Sequence, residues 1–213
     1  QKGEISTSSG SLDTSKNRTD YILFGSTQGI LHVVDSEGKE KIAFVPKEMM
    51  NNQKNNFQHV DSATSSSSAA DTMLYGIDGQ WTAYTQYVPV TGGGFTVNGA
   101  TGATSTNLGG KGLQWVYGGL RMGGRSYYAL DLSDIDNPTM KFHIDPSVAA
   151  AGTPLSYMGQ SWSKPTLGFV RWNGERRLVM FVGGGYDDGY ENRTYDQTNG
   201  KGAGVYMFDA HNG

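Results

Sequence analysis

The sequence predicts an all-β chain built from antiparallel hairpins. Its apolar segments are short and rich in Val, Ile, Tyr, Phe and Trp, glycine-bearing turns separate them, and helical periodicity is nearly absent. Only Pro46–Asn52 and Pro146–Ala151 have room for a turn or two of helix.

An internal repeat organises the strands. Ile22-Leu-Phe-Gly25 with Gly29-Ile-Leu-His-Val-Val-Asp35, Trp115-Val-Tyr-Gly118 with Gly124-Arg-Ser-Tyr-Tyr-Ala-Leu-Asp131, and Met180-Phe-Val-Gly183 with Gly204-Val-Tyr-Met-Phe-Asp209 are three copies of one unit. Each is a strand ending in glycine, a turn, and a second strand ending in aspartate. The bulky runs suit strands buried on both faces. Glycine at the hairpin supplies positive φ, and the closing Asp accepts backbone N–H groups in an Asx turn. Strands are therefore expected at Tyr21–Phe24, Ile30–Val34, Trp115–Tyr117, Tyr127–Leu130, Leu178–Val182 and Val205–Phe208. Third strands follow at Lys41–Val45 and Lys141–Ile144, and leading strands fall at Met73–Ile77, Trp81–Val88 and Thr166–Trp172. Repeated sheets of about four strands describe propeller blades. A sandwich is the alternative, and tandem recurrence favours the propeller. At about 40–50 residues per blade the chain has room for about four. It reads as part of a longer protein, because Gly213 falls in the turn before the next expected strand.

Residues 1–19 are polar and read as a tail or linker, with one propeller domain over 20–213. Inserted loops are expected near 51–70 (a serine-rich break), 91–111 and 184–203. The 31 glycines in 213 residues, about twice average usage, mark turns, since they follow no collagen period. A net charge of −3 without a basic stripe argues against a nucleic-acid partner. No apolar run is long enough to span a bilayer as a helix. The absence of cysteine excludes disulfides, thiolate metal sites and a cysteine nucleophile.

The stretches Tyr21–Asp35, Tyr117-Gly-Gly-Leu-Arg-Met-Gly-Gly-Arg-Ser-Tyr-Tyr-Ala-Leu-Asp-Leu-Ser-Asp134 and Trp162-Ser-Lys-Pro-Thr-Leu-Gly168 resemble the PilY/PilC family of type IV pilus adhesins. The Gly-Gly-Leu-Arg-x-Gly-Gly-Arg-x-Tyr-Tyr-Ala-Leu-Asp run is the most specific; the first stretch is shared with quinoprotein-like propellers generally. The resemblance runs from about Tyr21 to Gly213. It implies a modified β-propeller at the cell surface, pilus tip or outer membrane. It also implies a non-enzymatic role in pilus biogenesis, adhesion and motility, with minor pilins and a host or abiotic surface as partners. Family members carry a calcium loop of the Asp-x-Asp/Asn-x-Asp-Gly-x-x-Asp kind. This chain has none: Asp187-Asp-Gly-Tyr-Glu191 and Asp134-Ile-Asp-Asn-Pro138 lack the alternating ligands.

No catalytic, cofactor-binding or metal-ligating residue is therefore assigned. Asp187, Asp188, Glu191, Asp196 and Asn199 crowd one loop, and their spacing reads as a solvated loop rather than a calcium site. His32, His59, His143 and His211 sit on separate elements without metal spacing, His32 reading as a satisfied interior residue of a strand, and zinc is not expected in a chain without cysteine. The chain has no Gly-x-Ser-x-Gly elbow, and Gly118–Arg125 lacks the Lys-Ser/Thr and helix of a phosphate cradle, so it reads as a hairpin turn. Trp81, Trp115, Trp162 and Trp172 are expected mostly as wedges between blades, with a minority at a binding surface. Asn17-Arg-Thr19 and Asn192-Arg-Thr194 match the glycosylation sequon, a pattern without meaning in most bacterial contexts. The competing functions are a periplasmic or outer-membrane propeller scaffold and a quinone-dependent dehydrogenase fragment. The latter needs converging carboxylates and usually an adjacent-cysteine disulfide, which a cysteine-free chain lacks.

Overall fold

A computed structural model describes residues 1–8, 11–13, 18–52, 75–90, 94–99, 108–192, 194 and 200–213. In chain order the strands are β1 (Lys2–Ser8), β2 (Ser11–Asp13), β3 (Arg18–Thr19), β4 (Tyr21–Gly25), β5 (Leu31–Asp35) and β6 (Glu40–Phe44). After helix α1 (Lys47–Asn52) come β7 (Trp81–Gln86), β8 (Val88–Pro89), β9 (Phe95–Thr96), β10 (Leu113–Gly119), β11 (Tyr127–Asp131) and β12 (Thr139–Ile144). The last three are β13 (Thr166–Trp172), β14 (Glu175–Gly183) and β15 (Val205–Asp209). Every pairing between these strands is antiparallel. Among the described residues α1 is the single α-helix, and no helix is long and apolar enough to cross a membrane.

Three meander sheets form the body: β4-β5-β6, β7-β10-β11-β12 and β13-β14-β15. They pack against one another through two buried cores. Register decides which side chains meet. In the middle sheet Tyr117 lies opposite Ala129, and Tyr127 opposite Ile144; this face packs on Leu178, Met180 and Val182 of the third sheet. Val116 lies opposite Leu130, and that face packs with Tyr128 on Leu31 and Val33 of the first sheet. One four-stranded sheet thus joins two cores, each large buried side chain contributing about 1.5–3 kcal/mol.

The strand-ending aspartates do what the repeat demands. Asp35 Oδ1 accepts from the N–H groups of Glu37 and Lys39, at 3.0 and 2.9 Å. Asp131 Oδ1 accepts from Ser133 N at 2.9 Å, and Asp209 Oδ1 from His211 N at 2.7 Å. Asp131 does more: its Oδ2 accepts from the indole Nε1 of Trp115 at 2.8 Å, bridging β10 and β11.

Two expectations are corrected, at Met73–Ile77 and at Gly124. The polar N-terminal stretch carries strands: β1 pairs with β2, β3 and β9, with Ile5 opposite Phe95. Backbone hydrogen bonds make these ladders and need no apolar side chains. The stretch 91–111 likewise contributes β9 to that sheet. Met73–Ile77 is not a strand where it is described: Ile77 donates its N–H to Ser26 O at 3.0 Å and is buried against the first sheet's turn. At Gly124 the backbone is extended, with φ 162°, so positive φ is not what glycine supplies there. The hairpin rule does hold at Gly29, whose φ is 89°. The serine-rich break lies outside the described residues.

Candidate functional site

The Gly118–Arg125 run is a structural joint. Gly118 faces Trp81 across the β10/β7 pair, and a Cβ there would stand 2.1 Å from the indole. Side chains at Gly119 and Gly123 would likewise strike Ser161 and the backbone of Gly76. A 3-10 turn, Arg121–Gly123, links β10 to β11, and Leu120 N donates to Ser161 Oγ at 2.7 Å. Arg125 donates from Nε to Met158 O at 2.9 Å and from Nη2 to Ser156 O at 3.0 Å, clasping the connection to the third sheet. Close approach of neighbouring side chains and backbone, rather than turn conformation, explains this density of glycine.

Beside that joint an aromatic platform reaches solvent. The rings of Trp162 and Tyr186 lie 5.1 Å apart, those of Tyr186 and Tyr190 lie 6.4 Å apart, and the Arg121 guanidinium covers Trp162 at 4.6 Å. Gln160 and Tyr186 form an antiparallel bridge that joins the inter-sheet connection to the loop after β14. Trp162 Nε1 donates to Gln160 Oε1 at 3.0 Å, and Tyr186 OH to Glu191 Oε1 at 2.9 Å. Trp162 and Tyr190 remain 39% and 50% exposed, a large apolar area in which the Trp162 indole N–H is already placed. Of the four tryptophans, Trp115 is the buried wedge, Trp162 and Trp172 are exposed, and Trp81 is half-buried over Gly118.

The acidic loop is organised by one of its members. Asp187 is buried and accepts from the N–H groups of Gly189 and Lys201, each at 2.9 Å, which pins the two ends of the connection together. Asp188 and Glu191 belong to the 3-10 turn that Asp187 caps. Asp196 and Asn199 lie outside the described residues, as do His59 and Asn17. His32 is satisfied, by Glu40, but it is not interior: it stacks on Phe24 at 5.1 Å on the outer face of the first sheet. His211 lies against Trp115.

His143 has other company. Glu48 on α1, His143 on β12 and Asp145 just beyond it bring their ligand atoms within 4.8 Å of one another. His143 Nε2 is 3.3 Å from Glu48 Oε1, and the two side chains are 22% and 20% exposed. Tyr128, directly opposite His143 in the sheet, stacks on the imidazole at 4.3 Å and 8°. Its hydroxyl donates to Glu48 Oε2, and the buried Ser126 hydroxyl donates to Oε1. Burial, and then the Glu48 contact, pushes the Tyr128 phenol well above its usual pKa, so it remains a donor. Asp145 caps the 3-10 turn Pro146–Val148, accepting from Ser147 N at 2.8 Å. Burial raises its pKa, but the Ser147 bonds and the nearby His143 and Arg125 outweigh that and hold the carboxyl below its ordinary value. Separation hid this cluster from the sequence, since Glu48 and His143 are 95 residues apart. The i, i+2 spacing of His143 and Asp145, which puts both on one strand face, was the available signal.

No protein-family model and no curated protein matches the chain. Among solved structures, the chain is similar to the crystal structure of the Pseudomonas aeruginosa PilY1 C-terminal domain, with 22% identity and a TM-score of 0.47, over 78% of this chain and 25% of that one.

Proposed function

We propose that the chain is a non-enzymatic module of a type IV pilus-tip protein, presented at the cell surface, that supports pilus biogenesis, adhesion and motility. Minor pilins and a host or abiotic surface are its partners in this reading. The observation that carries it is the Gly118–Asp131 run, the most specific stretch of resemblance to the PilY/PilC adhesins. Every part of that run has physical work in the fold. Its glycines admit Trp81, Ser161 and Gly76, Arg125 clasps the next connection, and Asp131 ties Trp115. The Trp162–Tyr186–Tyr190 platform supplies what a binding module needs, rigid amphipathic rings whose ordering costs little entropy.

The test is complementation of a strain lacking the gene. Deletion is expected to reduce surface pili, adhesion and twitching, and the parent gene to restore them. A Trp162→Ala/Tyr190→Ala variant is expected to be displayed at the parental level yet to adhere several-fold less. Pili, adhesion and motility untouched by deletion would sink the proposal.

A further inference from the structure

We propose that Glu48, His143 and Asp145 form a binding site for one divalent transition-metal ion of the zinc class. The site pins α1, which follows the first sheet, to the end of β12 in the second. The donor set is one imidazole nitrogen and two carboxylates, a combination that suits zinc, cobalt or manganese better than calcium, which prefers oxygen alone. Around a tetrahedral ion with ligand distances of about 2.1 Å, neighbouring ligand atoms stand about 3.4 Å apart. His143 Nε2 and Glu48 Oε1 are already 3.3 Å apart. Asp145 completes a set whose widest separation is within 4.8 Å, so small side-chain rotations close it.

The surroundings hold each ligand in place. Tyr128 stacks on the imidazole and, with Ser126, donates to the Glu48 carboxylate, while Ser147 orients Asp145. Such outer contacts are what fix ligands around bound metals. Hydrogen bonding among the three is an incomplete account. Two carboxylates stand together beside a single imidazole, whose Nε2 lies against Glu48. The nearby Arg125 directs its Nε and Nη2 donors to the carbonyls of Met158 and Ser156. A cation between the carboxylates relieves their repulsion. The partial exposure of Glu48 and His143 leaves a path for it.

The experiment is titration of the untagged chain with cobalt(II) chloride, followed by visible absorption, and then with zinc chloride, followed by thermal unfolding. We expect one equivalent of cobalt to give a ligand-field band that zinc abolishes, and zinc to raise the melting temperature. His143→Ala should remove the band. Asp145→Asn and Glu48→Gln, which keep the hydrogen-bonding shape, should weaken binding at least tenfold, and His211→Ala should leave it unchanged. If His143→Ala does not fold, His143→Gln takes its place in the same titration. A parent chain that gives no band and no thermal shift holds an ion pair only, and the proposal fails. It fails equally if the band survives the loss of His143.

Discussion

The middle sheet and the two flanking sheets share one design and differ in what covers them. β7-β10-β11-β12 is clad on both faces, and the side chains of β11 from Tyr127 to Leu130 are all buried. β4-β5-β6 is clad on one face only: Leu31 and Val33 point into a core, while Ile22 and Phe24 on the opposite face are 60% and 45% exposed. On the third sheet Val205 and Met207 stand outward in the same way, beside the Arg177–Asp209 pair. Identical strand–turn–strand–Asp chemistry thus sits in a two-sided and a one-sided setting. A substitution should be felt in proportion to the cover above it.

That comparison can be broken at the middle sheet first. Tyr117 is fully buried and its hydroxyl donates to Ala210 O at 2.7 Å, linking the second sheet to the third. Tyr117→Ala should cost about 3–5 kcal/mol in chemical unfolding. A loss below about 1 kcal/mol would mean that the two sheets do not depend on their contact. Next comes Gly118→Ala, whose new methyl group meets the Trp81 indole. Overpacking of that kind should cost about 1–3 kcal/mol, read as a fall in melting temperature. A second change, Trp81→Ala, should relieve part of that clash in a double-mutant cycle.

The aspartates sharpen the comparison further. Asp131→Ala strands both the Ser133 N–H and the indole N–H of the buried Trp115, at about 1–3 kcal/mol. Asp35→Ala strands only exposed backbone donors that water can take up, and should cost at most about 1 kcal/mol. Equal losses at the two sites would show that the cover over the turn is irrelevant. The smallest effect belongs to the outer face, where Ile22→Ala should stay within about 0.5 kcal/mol. A loss above about 2 kcal/mol would show that something packs on that face.

The sequence was legible wherever one hairpin contains the whole signal. Glycine-ended and aspartate-ended strands were placed nearly residue by residue because strand, turn and Asx bond lie within a few positions of each other. What was missed depends on partners far along the chain. Gly118 looked like turn chemistry, yet the reason for it is Trp81 on a neighbouring strand, 37 residues earlier. The strands before Tyr21 were hidden because ladder bonds use the backbone, which every polar residue carries alike. Glu48 met His143 only once two sheets had stacked.

The Asp187 staple has a consequence for how this surface can change. By gripping Lys201 N it closes the base of the β14–β15 connection, fourteen positions along the chain, before the sheet begins again. The sheet therefore registers little of what lies between. Lengthening a closed connection carries a cost that grows only with the logarithm of its length, about 0.6 kcal/mol for each doubling. Sequence can be added or exchanged there at small thermodynamic expense. Trp162 and Tyr186 stand outside the staple and Tyr190 just inside it, in the turn that Asp187 caps, so variation beyond that turn would redecorate the rim of a surface whose centre stays constant.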